Sequence, residues 1–347
     1  MAGRKKVAIL TTGGTIAGVS YGPVLDWGPA KGYRLYNAGV VSGQKLVKQF
    51  PSLEEIADII VIDLGKIDSV NLNMRLLNEF GGSIYSALSR EDIDGVVLTH
   101  GTDTMEFTSM GLSLMLQNLK KPVVMTGAIA PPDQLFDHVR THLEDSVRAA
   151  AYSGVNEVLV CYAGDENTTF TNLYQGPHIF KESPRSQKSF ESHLVRPIGV
   201  VKDGEIRLRQ DYERPVYDEE PRLVSGFSGD VCNFYFSVIG SARAIANIDC
   251  SGIVARVEGN PGHSDEIYKT TERLLKRGIP VAFAGFCRRT DYLGDQSPND
   301  IELIEKGAAY LGNMMTNKAI IKLSWAVAQT GANVGKTQAL MYKNVAG

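Results

Sequence analysis

The stretch Val7-Ala8-Ile9-Leu10-Thr11-Thr12-Gly13-Gly14-Thr15-Ile16-Ala17 decides the fold, because a short apolar run ends directly in a loop of threonine and glycine. A second stretch, Val96-Val97-Leu98-Thr99-His100-Gly101-Thr102-Asp103-Thr104, has the same arrangement. Apolar, β-branched runs of this length are typical of buried strands in a parallel sheet. Parallel strands place their ligand crevice at their carboxyl ends, so we expect two hydroxyls and one carboxylate to meet in one cleft.

Strand and helix patterns alternate through the amino-terminal part of the chain. The predicted strands cover residues 7–10, 59–64, 96–99, 123–125 and 158–162. Apolar spacing predicts helices over residues 105–119 and 138–152. This alternation predicts a larger amino-terminal catalytic domain, residues 1–205, built on a doubly wound and mostly parallel sheet.

The character of the sequence changes after the hairpin signal Asp203-Gly204. Residues 206–226 are charged and contain two prolines, and we interpret them as an interdomain linker. Residues 227–347 return to strand patterns at 231–238, 252–257 and 279–283, with helices at 265–277 and 317–329. The predicted fold class is therefore α/β, with a smaller carboxy-terminal α/β domain after the larger one.

Composition excludes several classes of function. The 347 residues carry 36 Lys+Arg and 39 Asp+Glu, and this net charge of −3 gives no electrostatic reason to propose nucleic acid or an anionic membrane as partner. No apolar run approaches the length of a membrane-spanning helix. Together with the absence of a signal-peptide pattern, this predicts a cytoplasmic protein.

Cofactor and metal motifs are missing from the sequence. Neither GxGxxG nor GxxxxGK[ST] occurs, which argues against dinucleotide and P-loop sites, and no Gly-x-Ser-x-Gly elbow is present. The four cysteines form no CxxC pair, and we expect buried free thiols at Cys161, Cys232, Cys250 and Cys287. The prediction is a protein with no metal and no organic cofactor.

A threonine nucleophile is the chemistry that these loops favour. A threonine hydroxyl is a weak nucleophile unless a tyrosine or a desolvated lysine takes its proton. Thr15 is a candidate, although threonines at strand ends also serve as turn residues that bond the backbone. His100 could be a base or a packed structural group, and its place before a glycine favours the second interpretation.

Residues 18–39 form a segment of a different kind. Glycines and prolines lie there among the aromatic residues Tyr21, Trp27, Tyr33 and Tyr36. Glycines supply hinges, and aromatic side chains allow a mobile loop to close on a ligand. The segment is either a lid over the first motif or an ordinary surface loop.

The two loop motifs resemble the two signature motifs of the asparaginase/glutaminase family, the bacterial-type threonine amidohydrolases. The matching strings are Thr12-Gly13-Gly14-Thr15-Ile16-Ala17 and Leu98-Thr99-His100-Gly101-Thr102-Asp103-Thr104-Met105-Glu106. The resemblance extends over most of the chain, through residues 122–128, 176–190 and 317–323. It implies hydrolysis of a small-molecule amide by a homo-oligomer, a dimer or tetramer with active sites at the subunit interface.

The resemblance also implies catalytic roles. Thr15 matches the nucleophile that forms the acyl-enzyme, and Tyr36 matches a lid tyrosine that hydrogen-bonds it. Thr102, Asp103 and Lys181 match a second cluster that relays a proton. Whether Tyr36 or the lysine cluster deprotonates Thr15 stays open.

The implied substrate-binding set is Gly14, Asp68, Ser69, Thr102, Asp103, Ala128 and Asp300. In the family, the serine that Ser69 matches holds the substrate's α-carboxylate. Asp103 would hold the α-ammonium group, and the backbone carbonyl of Ala128 would face the amide. Asp300 falls where the family has an acidic residue that reaches a neighbouring subunit's site.

Several positions depart from the family pattern and leave the substrate open. Val70 stands where secreted members carry glutamine, and Ala130 stands where arginine commonly precedes proline. The first hypothesis is therefore hydrolysis of asparagine to aspartate and ammonia. The second is the same machinery acting on another small amide or an asparagine derivative in specialised metabolism, and the third is a non-enzymatic metabolite-binding protein. Because tRNA-dependent amidotransferases of the family carry an additional amino-terminal domain, we expect a different role here.

Overall fold

A computed structural model describes residues 3–25, 32, 34–235, 245, 247–257, 264–285 and 297–344, apart from the side chain of Asn313. The chain divides into two compact units, and the first of them runs to Val224 while the second begins at Ser225. Trp27, Tyr33 and Cys287, which the sequence analysis singled out, lie outside the described residues, so the lid prediction for residues 18–39 falls partly outside them.

The first unit contains the elements that carry both loop motifs. Its strands are β1 (Lys6–Gly13), β2 (Val19–Tyr21), β3 (Leu35–Asn37), β4 (Asp58–Ile67), β5 (Gly95–Thr99), β6 (Leu116–Gln117), β7 (Val123–Thr126), β8 (Val158–Ala163), β9 (Thr171–Gln175), β10 (Ile179–Lys181), β11 (Phe190–Ser192), β12 (Gly199–Lys202), β13 (Glu205–Leu208) and β14 (Arg222–Leu223). Its helices are α1 (Gly43–Lys48), α2 (Leu53–Ile56), α3 (Met74–Leu88), α4 (Met105–Met115) and α5 (Phe136–Tyr152).

Eight of these strands form one sheet in the order β13-β12-β9-β8-β7-β5-β1-β4. β4, β1, β5, β7 and β8 pair in parallel, whereas β9, β12 and β13 pair antiparallel to their neighbours. β1 and β5 are adjacent, with Leu10 opposite Leu98 and Thr11 opposite Thr99. The mostly parallel sheet confirms the predicted fold class and brings the ends of both motif strands side by side.

Burial explains why the sequence forms these strands. Every residue of β5 is buried, and Val7, Ile9 and Leu10 of β1 have no exposed surface. The core on one face includes Val139, Leu143 and Val147 of α5 packed with strand residues. A strand that is covered on both faces needs a continuous apolar run rather than an alternating one.

The helix predicted over residues 105–119 ends earlier than expected. α4 stops at Met115, because Leu116 and Gln117 leave the helical path and pair antiparallel with Leu223 and Arg222. The predicted helix over 138–152 begins two residues earlier, at Phe136. Apolar periodicity continued past Met115, so the long-range strand pairing decided the end of α4.

The predicted linker packs on the first unit along most of its length. The hairpin at Asp203-Gly204 is confirmed, since both residues have positive φ, 51° and 77°, between β12 and β13. β13 belongs to the large sheet, and the Tyr212 hydroxyl donates to Glu157 Oε2 at 3.1 Å. The boundary between the units follows Val224, near the end of the predicted linker.

The second unit has its own parallel sheet of four strands, in the order β15-β16-β17-β18. The strands are β15 (Val231–Tyr235), β16 (Gly252–Val257), β17 (Val281–Gly285) and β18 (Ala309–Met315), and the helices are α6 (Asp265–Lys276), α7 (Pro298–Glu305), α8 (Thr316–Thr330) and α9 (Val334–Tyr342). This confirms the smaller α/β region, although residues 236–238 of the first predicted strand lie outside the described part of the chain.

The described cysteines are unpaired, as expected. Cys161 is buried, and burial raises the pKa of its thiol to about 12. Cys232 and Cys250 are only half-buried, so the expectation that they are buried is wrong. Among the described residues, none of the helices combines the length and apolar character that a membrane crossing requires.

Buried histidines make the stability of the first unit depend on pH. Burial lowers the pKa of His100 and of His138 to about 4, and burial beside His138 places the pKa of His142 well below 6.5. The unfolded chain therefore binds more protons than the folded one as the pH falls from about 6.5 to about 4. Burial raises the pKa of Asp145 to about 6 and raises that of Glu157, and these two groups act in the opposite direction.

We expect the free energy of unfolding to fall as the pH is lowered from 6.5 to 4.5. Each buried histidine lowers it by up to about 1.4 kcal/mol per pH unit, and the three histidines outnumber the two acids that act in the opposite direction. Urea unfolding followed by circular dichroism across this range measures how steeply the free energy of unfolding changes with pH. His138→Asn should have a shallower slope than the parent chain. A stability that rises on acidification would contradict this account.

Candidate active site

The first loop follows β1 and places Thr15 in a buried 3-10 turn, Thr15–Ala17. Gly13 and Gly14 have φ values of 105° and 72°, a conformation that side chains other than glycine rarely adopt. The amide of Gly14 donates to the carbonyl of Ile67 at 2.7 Å, and its carbonyl accepts from Gly39 at 2.9 Å. These bonds fix Thr15, which is 9% exposed.

The second loop touches the first through two glycines. A Cβ atom on Gly14 would lie 2.5 Å from the backbone nitrogen of Gly101, so only glycine permits this approach. On its other side, Gly101 lies against Ser69, whose Oγ would be 2.4 Å from a Cβ atom there. The loop ends of the adjacent strands therefore meet, as the parallel sheet predicted.

Thr15 and Tyr36 are in direct contact. The Thr15 hydroxyl donates to the Tyr36 hydroxyl at 3.3 Å. Tyr36 lies on β3, which pairs antiparallel with β2 and places Tyr36 opposite Ser20. The tyrosine is 38% exposed, so one face of it remains open beside the buried threonine.

The second cluster is a lysine that joins a threonine and an aspartate. Lys181 Nζ donates to Thr102 Oγ1 at 2.9 Å and lies 2.5 Å from Asp103 Oδ1. The Lys181 side chain is 13% exposed, whereas that of Asp103 is 56% exposed. The structure thus brings together three residues that are up to 79 positions apart in the chain.

Glu106 positions this cluster, and sequence reasoning gave it no role. Its Oε2 accepts the backbone amide of Lys181 at 3.0 Å, which fixes the start of the lysine side chain. Glu106 lies in the first turn of α4. An acidic residue at a helix amino terminus directly after the second motif was the signal that could have identified it.

The residues implied for substrate binding lie around the same loops. Ser69 is buried beside Gly101, and its carbonyl accepts from Thr104 Oγ1 at 2.9 Å. Asp68 caps the 3-10 turn Ser69–Asn71 by accepting from the amide of Val70 at 3.4 Å. Ala128 is fully buried and comes directly after the end of β7 and Gly127. Val70 is 62% exposed.

His100 is a structural group in this fold. It has no exposed surface, its Nδ1 lies 2.7 Å from the Gly101 carbonyl, and its Nε2 lies 3.1 Å from Thr108 Oγ1. Both ring nitrogens are thus occupied within the protein. The interpretation of His100 as a packed residue is confirmed.

Asp300 is enclosed within the second unit. It has no exposed surface and belongs to the first turn of α7, where Oδ2 accepts from the backbone and side chain of Ser297. Oδ1 accepts from the Tyr310 hydroxyl at 3.0 Å. The role implied for Asp300 at a neighbouring subunit's site would require these bonds to break. We therefore leave Asp300 out of the proposed site.

Over the ranges that the structure describes, no cluster of three or more histidine, cysteine or acidic side chains has the arrangement of a metal site. The groups that meet at the two loops are hydroxyls, one amine and carboxylates. Such a set suits nucleophilic attack and proton transfer.

Comparison with known proteins identifies the family. The family model described as "Asparaginase, N-terminal" matches residues 6–214. The chain belongs to the asparaginase family. It is an amidohydrolase that acts on amide C–N bonds, and enzymes of this family act on small amide substrates.

Three relatives illustrate the range of this asparaginase family. The chain is 27% identical over 348 residues to a glutamyl-tRNA(Gln) amidotransferase subunit of Methanobrevibacter smithii, across 99% of this chain and 77% of the relative. A structure of "Probable Cytoplasmic L-asparaginase from Campylobacter jejuni" is 25% identical, covers 98% of this chain and 100% of its own, and has a TM-score of 0.78. L-asparaginase I from Vibrio cholerae is 21% identical, covers 99% of both chains and shares the fold with a TM-score of 0.82.

The contact between the loops yields a testable expectation for this asparaginase-family chain. Gly14→Ala should lower kcat by about 100-fold or more, because the new Cβ would push the Thr15 loop away from Gly101 and small displacements of reacting groups are costly. Gly278→Ala is the matched control, since Gly278 also has positive φ, 79°, but a Cβ there meets nothing within 4 Å. Steady-state kinetics measure kcat for both variants. An equal loss of kcat in the two variants would contradict the role assigned to the contact between the loops.

Proposed function

We propose that this chain hydrolyses the side-chain amide of asparagine to aspartate and ammonia through an ester with Thr15. The observation that carries the proposal is that two threonine hydroxyls, on loops in contact, are each bonded to a group that can exchange a proton. Thr15 contacts Tyr36 at 3.3 Å, and Thr102 contacts Lys181 at 2.9 Å. All four residues lie in the first unit, which we propose as the catalytic domain.

The arrangement supports a reaction in two steps. Thr15 Oγ attacks the amide carbon, the C–N bond breaks, and the nitrogen leaves as ammonia after taking a proton. Water then attacks the ester, releases the carboxylate product and restores the Thr15 hydroxyl. In this proposal, backbone N–H groups in the turn at Gly101 and Thr102 stabilise the oxyanion. The Thr15 hydroxyl donates toward Tyr36, which supports a path in which the Thr15 proton passes to the Tyr36 oxygen while the phenolic proton moves on to the leaving nitrogen.

The Thr102–Lys181–Asp103 cluster supplies the second proton path in this proposal. A lysine that contacts a hydroxyl and a carboxylate together can pass a proton between them and to an incoming water. Asp103 remains more than half exposed while it bonds Lys181, so its other oxygen can receive the α-ammonium group of a substrate. Ser69, buried between the loops, is the proposed partner of the α-carboxylate.

The curated relatives favour a second candidate function. Proteins named as amidotransferase subunits match 99% of this chain, so the chain could serve as one component of an amidotransferase. In that case Thr15 would still open the amide, but the ammonia would be used by a partner protein. Ammonia release by the purified chain alone, without any partner, distinguishes the two candidates.

The test is ammonia release from L-asparagine, D-asparagine, L-glutamine and substituted asparagines by the purified protein, with Thr15→Ala as control. Fast release from L-asparagine that disappears in the variant supports the proposal. Slow release from asparagine with faster, Thr15-dependent cleavage of a modified amide supports the asparagine-derivative alternative. Binding without release from any amide would overturn the proposal and leave the amidotransferase subunit and the metabolite-binding protein as the remaining candidates.

We also propose that the protein is a cytoplasmic homo-oligomer, a dimer or tetramer. The support is the family resemblance and the Campylobacter jejuni relative, which is described as a probable cytoplasmic L-asparaginase. Sedimentation velocity on the purified chain measures the assembly, and a monomer at working concentrations would contradict it.

A further inference from the structure

A cavity of about 280 Å³ lies in the first unit on the Tyr36 side of the nucleophile. Three of its described lining residues connect it to the proposed site. Tyr36 contacts Thr15, Ile129 directly follows Ala128, and Pro184 comes three residues after Lys181. The volume is near the lower end for small-molecule sites, about 300 Å³. The cavity is thus an extension of the space around the scissile bond.

The position of the cavity indicates which end of a substrate it would hold. Its described lining includes neither Ser69 nor Asp68, the residues proposed near the substrate's α-carboxylate. It does include Tyr36, and it includes the neighbour of Ala128, whose carbonyl is expected to face the amide. A group bound in the cavity would therefore be attached to the amide nitrogen, the leaving group of the reaction.

The lining combines apolar surface with positive charge. Leu25, Leu35 and Ile129 are apolar, whereas Arg34 and Arg185 are positively charged. Among the described lining residues there is no carboxylate. A guanidinium group binds a carboxylate through charge-assisted, often bidentate hydrogen bonds. The lining therefore suits a group with an apolar body and a carboxylate.

Arg34 is held in place by its neighbours. Its Nε donates to the carbonyl of Gly22 at 3.1 Å. Its backbone amide donates to Gln134 Oε1 at 3.2 Å, and its carbonyl accepts from Gln134 Nε2 at 3.1 Å. Gln134 Nε2 also donates to Ser20 Oγ at 2.7 Å, which ties β2 and β3 together at this edge. A guanidinium fixed in advance loses less entropy when it binds an anion.

We propose that this cavity is a leaving-group subsite for an amino acid joined through its nitrogen to the side-chain carbonyl of aspartate. An amino acid with an aliphatic side chain has the apolar body and the carboxylate that the lining matches. The substrate class is thus the β-aspartyl peptides, which are N-substituted asparagines. This inference rests on the proposed function, because it uses the same nucleophile.

The reaction balances without a further reagent. Thr15 Oγ forms an ester bond to the side-chain carbonyl carbon, and the bond from that carbon to the peptide nitrogen breaks. The nitrogen keeps the electron pair, takes the proton that leaves the Thr15 hydroxyl, and departs as the amine of a free amino acid. Water then hydrolyses the ester to aspartate and restores the hydroxyl, and nothing is oxidised or reduced.

The test compares β-aspartyl-leucine with β-aspartyl-leucinamide, which differ only in the terminal charge, and with L-asparagine. Aspartate release gives kcat/KM for each. We expect β-aspartyl-leucine to exceed its amide by about tenfold or more, the effect of one charge-assisted hydrogen bond. Arg34→Gln and Arg185→Gln should each reduce this ratio toward one, and Arg34→Lys should retain part of it.

Arg207→Gln is the control variant, because Arg207 is an exposed residue of β13 that pairs with Glu205. It should leave the ratio unchanged. Three outcomes would overturn the inference and leave the proposed function standing. They are equal kcat/KM for the two peptides, a ratio that is unchanged in both arginine variants, and cleavage of asparagine without cleavage of either peptide. Aspartate release that persists in Thr15→Ala would overturn the proposed function itself. If Arg34→Gln fails to fold, Arg185→Gln alone still tests the inference.

Discussion

Thr15→Ala is expected to lower kcat by about 10⁴-fold or more, because it removes the oxygen that forms the covalent bond and nucleophile losses of this kind are among the largest in enzymes. Binding should persist, since the side chains proposed to hold the substrate, Ser69 and Asp103, are unchanged. Ammonia release measures the first effect. A rise in melting temperature on adding aspartate measures the second.

The controls separate chemistry from folding. Thr15→Ser keeps a hydroxyl and should retain a measurable part of the activity. Thr330→Ala removes a threonine hydroxyl that bonds Ala326 within α8, outside the proposed catalytic residues, and should leave kcat unchanged. Turnover of Thr15→Ala at more than about a tenth of the parent rate would remove Thr15 from its role.

Lys181→Met should reduce kcat by about 10² to 10⁴-fold, the range of positioned proton transfer. The substitution removes the amine that joins Thr102 Oγ1 and Asp103 Oδ1 while it keeps much of the side-chain volume. The effect should fall on kcat more than on KM, because Lys181 handles the proton rather than the substrate's charged groups. Steady-state kinetics on L-asparagine test this.

Lys188→Met is the matched control, since Lys188 pairs with Glu191 at 2.5 Å on a more exposed part of the chain and should leave kcat unchanged. The double variant Lys181→Met with Thr102→Val adds a second test. If the two residues act as one relay, the double variant should be little slower than Lys181→Met alone. Additive losses would indicate two independent roles and contradict the relay.

The sequence was most informative where a strand is buried on both faces. The apolar runs that became β1 and β5 could be recognised because a covered parallel strand requires uninterrupted apolar side chains. The loops after these strands were expected to meet, because the carboxyl ends of parallel strands lie at the same edge of a sheet. The approach of Gly14 to Gly101 confirms that the two strand ends meet. For these two loops, the hydrogen bonds were the part that the sequence could not predict.

Residues that reach the site through long-range pairing could not be located from local pattern. Tyr36 lies on β3 and Lys181 on β10, strands of three residues whose position depends on partners elsewhere in the chain. Family resemblance, rather than spacing, brought both to attention. Glu106 acts through the backbone of Lys181, and such a contact leaves no periodic signal. The end of α4 was missed for the same reason, because distant Arg222 and Leu223 set it.

The most direct test of the central claim is partitioning of the acyl-enzyme between water and hydroxylamine. Asparagine and the β-methyl ester of aspartate would both acylate Thr15 and release different leaving groups. The account predicts the same ratio of aspartyl hydroxamate to aspartate from both substrates, and loss of both products in Thr15→Ala. Ratios that differ between the two substrates, or turnover with no hydroxamate formed, would contradict a common ester on Thr15.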